Sequence, residues 1–106
     1  MFDNSIVKHY HFYMIITFKC KETKKIFAGR FSKKLPQDIQ EIARRKLRLM
    51  NNAISLNDLR SPPSNHLEQL YGDREGQYSI MINDQWRICF KWHHGNCTDV
   101  AITDYH

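Results

Sequence analysis

The chain has 106 residues, 42% of them hydrophobic and 25% charged, which suits one globular domain with a modest core. No run approaches the roughly 20 apolar residues of a membrane-spanning helix, and the first residues lack the features of a signal peptide. The formal charge of +5 favours an anionic partner, either nucleic acid or an acidic protein segment, and carries no information about fold.

The cysteine pattern indicates the cellular compartment of the protein. Cys20, Cys89 and Cys97 are odd in number, widely spaced and form no CxxC motif. This pattern predicts reduced thiols in a cytoplasmic protein rather than a disulfide framework. No metal site is predicted, because His93 and His94 point to opposite faces of a strand and no second Cys/His pair completes a ligand set. No cofactor is predicted either.

The first half of the chain predicts a strand and a short helix. Residues 1–13 are aromatic and histidine-rich without a clear period. We interpret them as an N-terminal extension ahead of a domain over residues 14–106, with an extra edge strand as the alternative. The β-branched and aromatic run at 14–18 predicts a strand. Residues 23–31 place Ile26, Phe27 and Phe31 on one side among lysines and predict a short helix with Gly29 near its end.

A second helix is predicted from Pro36, with Asp38 in the first turn, where a carboxylate suits the positive end of the helix dipole. Apolar residues then follow helical spacing at Ile39, Ile42, Ala43, Leu47, Met50 and Ile54. The opposite face carries a basic cluster, Arg44, Arg45, Lys46 and Arg48. This cluster is either the solvated side of an amphipathic helix or a contact for an RNA backbone or an acidic partner.

The second half predicts an antiparallel sheet. A connector with the run Ser61-Pro62-Pro63-Ser64 leads to a short strand near residues 66–70 and a turn at residues 72–76. Three runs with period-two alternation follow, separated by Asn-Asp and Gly95-Asn96 turn signals. Their apolar phase comprises Tyr78, Ile80, Ile82, Trp86, Ile88, Phe90, Trp92, Val100 and Ile102. The predicted fold class is α+β: an N-terminal strand and two helices packed on one face of a mainly antiparallel sheet of about four strands.

The open face of that sheet and the last residues carry the candidate chemistry. Arg87 falls out of the apolar phase, and its guanidinium suits bidentate binding of phosphate, with a surface salt bridge as the alternative. Lys91 shares that face. His106 is the best acid–base candidate because imidazole titrates near pH 6.5, although a chain-terminal histidine can also be a frayed end. If β alternation continues to the end of the chain, only Tyr105 lies on the same face of the sheet as Arg87. The chain must therefore bend for Asp104 and His106 to converge with Arg87.

Further candidates lie in the turn and among the aromatic residues. Arg74, in the Gly-Asp-Arg turn, is either an RNA contact or a solvated turn charge. Tyr71 and Tyr105 are candidates for stacking on RNA bases. The aromatic residues of the apolar phase are assigned to the core: Tyr78, Trp86, Phe90 and Trp92.

Several stretches of the chain resemble the HigB branch of the RelE/ParE toxin superfamily, also called plasmid maintenance system killer proteins. They are Gly72-Asp73-Arg74-Glu75-Gly76-Gln77-Tyr78-Ser79-Ile80, Asn83-Asp84-Gln85-Trp86-Arg87-Ile88-Cys89-Phe90 and Thr103-Asp104-Tyr105-His106, with Ser61-Pro62-Pro63 and Leu67-Glu68 upstream. Members of this family are bacterial toxins that cut messenger RNA on the ribosome and are neutralised by a partner antitoxin. The likeness extends over residues 14–106.

The resemblance implies a RelE-like fold and a ribosome-dependent endoribonuclease that inhibits translation. The reaction implied needs no metal, since the ribose 2′-hydroxyl attacks its own 3′-phosphate. His106 would act as acid or base, Asp104 and Tyr105 would orient or stack, and Arg87 with Arg74 would hold phosphate. The implied partners are messenger RNA on the ribosome and a HigA-like helix-turn-helix antitoxin.

Three positions depart from the family pattern. Tyr71 stands where a lysine commonly precedes Gly-Asp-Arg, and Met81 stands where an arginine is common. Some members have a histidine near Glu68, whereas the nearest one here is His66. These losses of positive charge leave two alternatives open. One is a non-catalytic, degenerate toxin that binds antitoxin, ribosome or operator DNA. The other is a gyrase poison of the ParE type, although those relatives do not typically close with Asp-Tyr-His.

Overall fold

The computed structural model describes residues 14–105, so the predicted extension 1–13 and His106 lie outside the described residues. Two helices, α1 (Lys21–Phe27) and α2 (Gln37–Asn52), precede four strands, β1 (Glu68–Gln69), β2 (Gln77–Met81), β3 (Trp86–His93) and β4 (Asn96–Asp104). The strands form one antiparallel sheet in the order β1-β2-β3-β4. The predicted α+β class is therefore confirmed. None of the helices in this part of the chain is long and apolar enough to cross a membrane.

The segment predicted as the N-terminal strand lies beside β4. Two parallel bridges, Ile15 to Cys97 and Phe18 to Val100, attach it to the sheet edge. The Ile16 amide donates to the Cys97 carbonyl at 2.8 Å, and the Val100 amide donates to the Thr17 carbonyl at 3.1 Å. The segment is thus a fifth, parallel partner of the sheet held at separate points rather than a continuous strand.

Helix α1 ends earlier than predicted. The prediction of residues 23–31 was wrong at its end, because the helix stops at Phe27 and Phe31 is 56% exposed. Gly29 adopts φ +88°, a left-handed conformation that reverses the chain at a helix C-terminus. Ile26 is buried as expected, and the buried Thr23 hydroxyl accepts a hydrogen bond from the Ile102 amide of β4 at 2.9 Å.

Helix α2 begins after Pro36 with Asp38 in its first turn, as predicted. Its buried stripe comprises Ile39, Gln40, Ala43, Leu47 and Met50. The inclusion of Ile54 was wrong, since this residue lies beyond the helix and is 87% exposed. The Asp58 carboxylate accepts hydrogen bonds from the Ile54 and Ser55 amides at 2.9 and 3.1 Å, which fixes this segment outside the helix.

The core lies between the helices and one face of the sheet. The apolar phase predicted for the strands faces it: Ile80, Ile88, Phe90 and Val100 have no exposed surface, and Ile82 and Ile102 are 7% exposed. Tyr78, Trp86 and Trp92 are partly buried against the same cluster. The assignment of these aromatic residues to the core is confirmed, and α1 and α2 both pack on this face of the sheet.

The turn between β3 and β4 is centred one residue earlier than predicted. His93 pairs with Asn96, so the two central residues are His94 and Gly95, and Asn96 already belongs to β4. Both central residues have positive φ, +47° and +87°, as a type I′ hairpin turn requires. Glycine supplies that conformation without a steric cost at the second position.

The buried thiol of Cys97 makes the stability of the fold sensitive to alkaline pH. Burial raises the pKa of this thiol from 9.0 to about 12. The unfolded chain therefore loses this proton at a lower pH than the folded chain. The contribution of Cys97 to stability is fully present below pH 9 and is lost as the pH rises from 9 towards 12. We expect the free energy of unfolding, measured in urea, to fall over that interval less steeply for Cys97→Ala than for the wild type. Equal slopes would contradict this.

Candidate functional site

The register of the strands sets out rows of residues on the open face. Arg87 pairs with Met81 of β2 and with Thr103 of β4. Cys89 pairs with Ser79 of β2, and Ser79 pairs in turn with Glu68 of β1. Because side chains directly opposite each other lie on the same face of a sheet, two adjacent rows share this face: Met81, Arg87 and Thr103 on three strands, and Glu68, Ser79, Cys89 and Ala101 on all four.

Arg87 is held firmly on this face. The residue is only 6% exposed. Its Nε donates to the Ser79 hydroxyl at 2.7 Å, and its Nη2 donates to the His66 carbonyl at 2.5 Å. The Glu68 carboxylate lies 3.7 Å from the same Nη2. Arg87 is therefore neither a freely solvated cation nor half of a simple surface pair, and its hydrogen bonds to Ser79 and His66 set its orientation.

The Tyr105 ring lies near both arginines that are predicted to bind phosphate. The Cζ atoms of Arg87 and Arg74 lie 5.8 and 5.9 Å from the centre of the Tyr105 ring, within the range of cation–π attraction. The Tyr105 amide donates to the Gln85 carbonyl at 2.6 Å, which ties this residue to the start of β3. Arg74 Nη1 contacts the Cys89 sulfur at 3.5 Å. Three residues predicted from the sequence thus form one cluster, which we call the arginine–tyrosine cluster (Arg74, Arg87, Tyr105).

The other predicted site residues are placed differently. Asp104 pairs with Trp86, in the phase that faces the helices, and its carboxylate accepts a hydrogen bond from Gln85 Nε2 at 3.2 Å. Lys91 follows a register shift in the β3–β4 ladder and forms an ion pair with Asp99 at 3.3 Å. Tyr71 is 75% exposed before the turn, with no ring or side-chain contact to the arginine–tyrosine cluster. His106 lies outside the described residues, and its role stays a prediction.

Three neighbours of Arg87 were not singled out as site residues from the sequence. Ser79 and Cys89 carried a usable signal, because both fall out of the apolar phase on adjacent strands. Glu68 carried a weaker one, since its position opposite Ser79 depends on the connection between β1 and β2. Between residues 14 and 105 no group of three or more His, Cys, Asp or Glu side chains is arranged to hold a metal ion.

The basic cluster of α2 is only partly solvated. Arg45 and Arg48 are exposed. The Lys46 ammonium donates a hydrogen bond to the buried Asn65 side chain, and burial lowers the pKa of Lys46. A groove of about 510 Å³ lies beside this helix, bounded by the proline-containing connector and the end of β2. Its lining is mainly apolar with two cations: Ile42, Arg45, Lys46, Leu49, Pro62, Ser64, Met81 and Ile82.

The open face can bind and stabilise an anion. Two guanidinium groups converge on one aromatic ring, and Arg87 is pre-oriented by its hydrogen bonds rather than by the ligand. Guanidinium matches the geometry of phosphate oxygens, and fixed donors stabilise charge that develops during a reaction. An aromatic ring at the same place offers a surface for stacking a base.

Comparisons with known proteins show the family to which the chain belongs. Residues 16–106 match the family described as the RelE-like toxin of type II toxin–antitoxin system HigB. The chain is 38% identical over 71 residues to Toxin HigB-1 of Vibrio cholerae, covering 67% of this chain and 70% of that protein. It is 34% identical over 94 residues to Endoribonuclease HigB of Proteus vulgaris, covering 88% of this chain and all of that protein. An uncharacterized protein of Haemophilus influenzae is 35% identical over 69 residues, covering 65% and 68%. The chain therefore belongs to the HigB-like family of RelE-like toxins.

Proposed function

We propose that this chain is an endoribonuclease that cuts messenger RNA on the ribosome and so inhibits translation. The observation that carries the proposal is the arginine–tyrosine cluster on the face of the sheet opposite the two helices. The name of the Proteus vulgaris relative, Endoribonuclease HigB, supports the activity. The positive net charge of +5 supports an RNA substrate.

The proposed reaction needs no metal. The ribose 2′-hydroxyl attacks the adjacent phosphorus, and the oxygen of the following nucleotide leaves. Arg87 and Arg74 hold the phosphate and stabilise the charge that builds up on its oxygens. His106 exchanges a proton with the reacting oxygens, Tyr105 stacks on a base, and Asp104 orients its neighbours.

The ribosome holds the RNA strand in the conformation that reacts, which so small a site does not do alone. Two arginines can hold one phosphate, but they do not fix the conformation of a flexible RNA strand. Positioning of the reacting groups contributes as much to catalysis as proton transfer. The exposed cations of α2 are the candidate contact for ribosomal RNA, and Lys91 and Tyr71 are candidate contacts for messenger RNA beyond the cleaved phosphate.

Family membership implies an antitoxin partner, because the family is defined by type II toxin–antitoxin systems. We propose a HigA-like helix-turn-helix protein in this role and a cytoplasmic location for the pair. The basic face of α2 is complementary to an acidic antitoxin segment, so the antitoxin and the ribosome are alternative ligands for one surface.

Mapping of RNA ends tests the proposal directly. Expression of the chain should produce new 5′ ends inside translated messages, and cells in which initiation is blocked should lack them. Deep sequencing of 5′ ends before and after induction is the measurement. New ends in untranslated RNA at equal frequency would contradict the ribosome dependence.

A second candidate function is favoured by one position in the same row as Arg87. Met81 lies directly opposite Arg87, where relatives commonly have an arginine, so one cation is missing from the open face. A degenerate toxin that binds its partners without cutting RNA would explain that loss. Toxicity with no new 5′ ends would favour this function over cleavage. Inhibition of DNA supercoiling in vitro would instead indicate gyrase as the target.

A further inference from the structure

We infer that Glu68 is a catalytic residue of this chain, the general base that takes the proton from the attacking 2′-hydroxyl. The inference rests on the proposed ribonuclease function and deepens it. Its basis is the position of one carboxylate beside the guanidinium that holds the phosphate. The Glu68 oxygen lies 3.7 Å from Arg87 Nη2.

The exposure of the two partners is unequal. The Arg87 side chain is 8% exposed, whereas the Glu68 side chain is 55% exposed. The guanidinium is fixed by Ser79 and His66, so it does not depend on Glu68 for its orientation. The carboxylate stands on the solvent side of a fixed cation. A phosphate bound to Arg87 therefore meets Glu68 at the rim of the same site.

The attacking 2′-hydroxyl and the 3′-phosphate are attached to neighbouring carbon atoms of one ribose. The base and the phosphate-binding arginine must therefore lie close together. A base for the 2′-hydroxyl must lie within hydrogen-bond reach of it while an arginine holds the phosphate oxygens. A glutamate next to Arg87 meets both conditions. The Glu68 side chain is more than half exposed, so a ribose can approach the carboxylate.

The proton balance of the step is complete. The Glu68 carboxylate accepts the proton of the 2′-hydroxyl as the 2′-oxygen forms its bond to phosphorus. The bond from phosphorus to the 5′-oxygen of the next nucleotide breaks, and that oxygen receives a proton from His106. The products are a 2′,3′-cyclic phosphate and a 5′-hydroxyl end, and no oxidant, reductant or metal is consumed.

The other reading of this contact is a structural ion pair that attaches β1 to the sheet. The two readings differ in the pH dependence that they predict. Charged and titratable side chains on the same side of the sheet as Glu68 are Arg74, Arg87, Cys89, Lys91, His93, Asp99 and Tyr105. Of the cations among them, Arg87 is the one that forms an ion pair with the Glu68 carboxylate in the described part of the chain.

The test is single-turnover cleavage of a labelled messenger RNA on purified bacterial ribosomes, measured over a range of pH. Glu68→Gln keeps the shape of the side chain and removes the base, so the cleavage rate should fall about 10²- to 10⁴-fold. Glu68→His should recover much of the rate. In the pH–rate profile, the loss of rate at low pH should occur about two pH units higher for Glu68→His than for the wild type. The reason is that imidazole has a pKa about two units above that of a carboxylate in peptides.

Asp99→Asn is the matched control. Asp99 also pairs with a β3 cation on this sheet, at 3.3 Å from Lys91, with 47% of its side chain exposed. Its φ of +53° is tolerated by asparagine, so this variant removes a carboxylate without strain. It should cleave at the wild-type rate. If the wild type cleaves and Glu68→Gln has the same rate or the same pH profile, the role of Glu68 is overturned and the proposed function is unaffected. No cleavage by the wild type on ribosomes would overturn the proposed function itself.

Discussion

Replacement of Arg87 with methionine is expected to destabilise the fold by about 2–4 kcal/mol, before any effect on RNA is considered. The change removes three hydrogen bonds from a charged donor, two to Ser79 and one to the His66 carbonyl. Such bonds contribute about 1.5–3 kcal/mol each, and part of that loss is offset because methionine buries no charge. The change also leaves the buried Ser79 hydroxyl without its guanidinium partner. Urea unfolding of the purified protein gives the difference. A domain of this size has about 5–15 kcal/mol of stability, so the variant should still fold.

Lys91→Met is the matched control for Arg87→Met. Lys91 is on the same strand and the same face, but its ion pair with Asp99 is exposed on both sides. Its loss should change the free energy of unfolding by no more than about 1 kcal/mol. Arg87→Lys keeps the positive charge and loses the planar fork, so it should be destabilised almost as much as Arg87→Met. An Arg87→Met protein as stable as Lys91→Met would show that the hydrogen bonds to Ser79 and His66 contribute nothing.

The two faces of the sheet could be predicted because they depend only on alternation along each strand. Ile88 and Arg87 are adjacent in the chain, and a period of two places their side chains on opposite faces of the sheet. The errors lie where a single backbone conformation decides the result. Gly29 ends α1 through a positive φ, and no pattern of apolar residues reports that, so Phe31 was assigned to the wrong environment.

The site was harder to predict than the faces. The cluster of Arg87 with Tyr105 followed from alternation, because Thr103 pairs with Arg87 and Tyr105 comes two residues later. The burial of Arg87 did not follow, since it depends on where the connector places the His66 carbonyl and on the pairing of β1 with β2. Those contacts join residues 21 and 19 positions apart in the sequence, and they are set by the tertiary fold.

Replacement of His106 with alanine should reduce cleavage of messenger RNA about 10²- to 10⁴-fold, the usual contribution of a side chain that transfers a proton in the transition state. His106 follows Tyr105 directly in the chain, and the Tyr105 ring lies near both arginines that we propose to bind phosphate. Imidazole titrates near pH 6.5 in peptides and can therefore donate a proton at neutral pH. Expression of the variant in growing cells should therefore be tolerated, whereas expression of the wild type should arrest growth.

His93→Ala is the control for this change, because His93 is an exposed histidine at the end of β3, on a strand that already holds Arg87. It should arrest growth as the wild type does. Urea unfolding should give His106→Ala the same stability as the wild type, so that its loss of activity can be assigned to chemistry.

A pH–rate profile adds a second criterion. If His106 donates the proton, the wild-type rate should fall above about pH 6.5, and the residual rate of the variant should lack that limb. Growth arrest by His106→Ala, with the wild-type set of new 5′ ends, would remove the imidazole from the reaction and leave the arginine–tyrosine cluster to act with another acid.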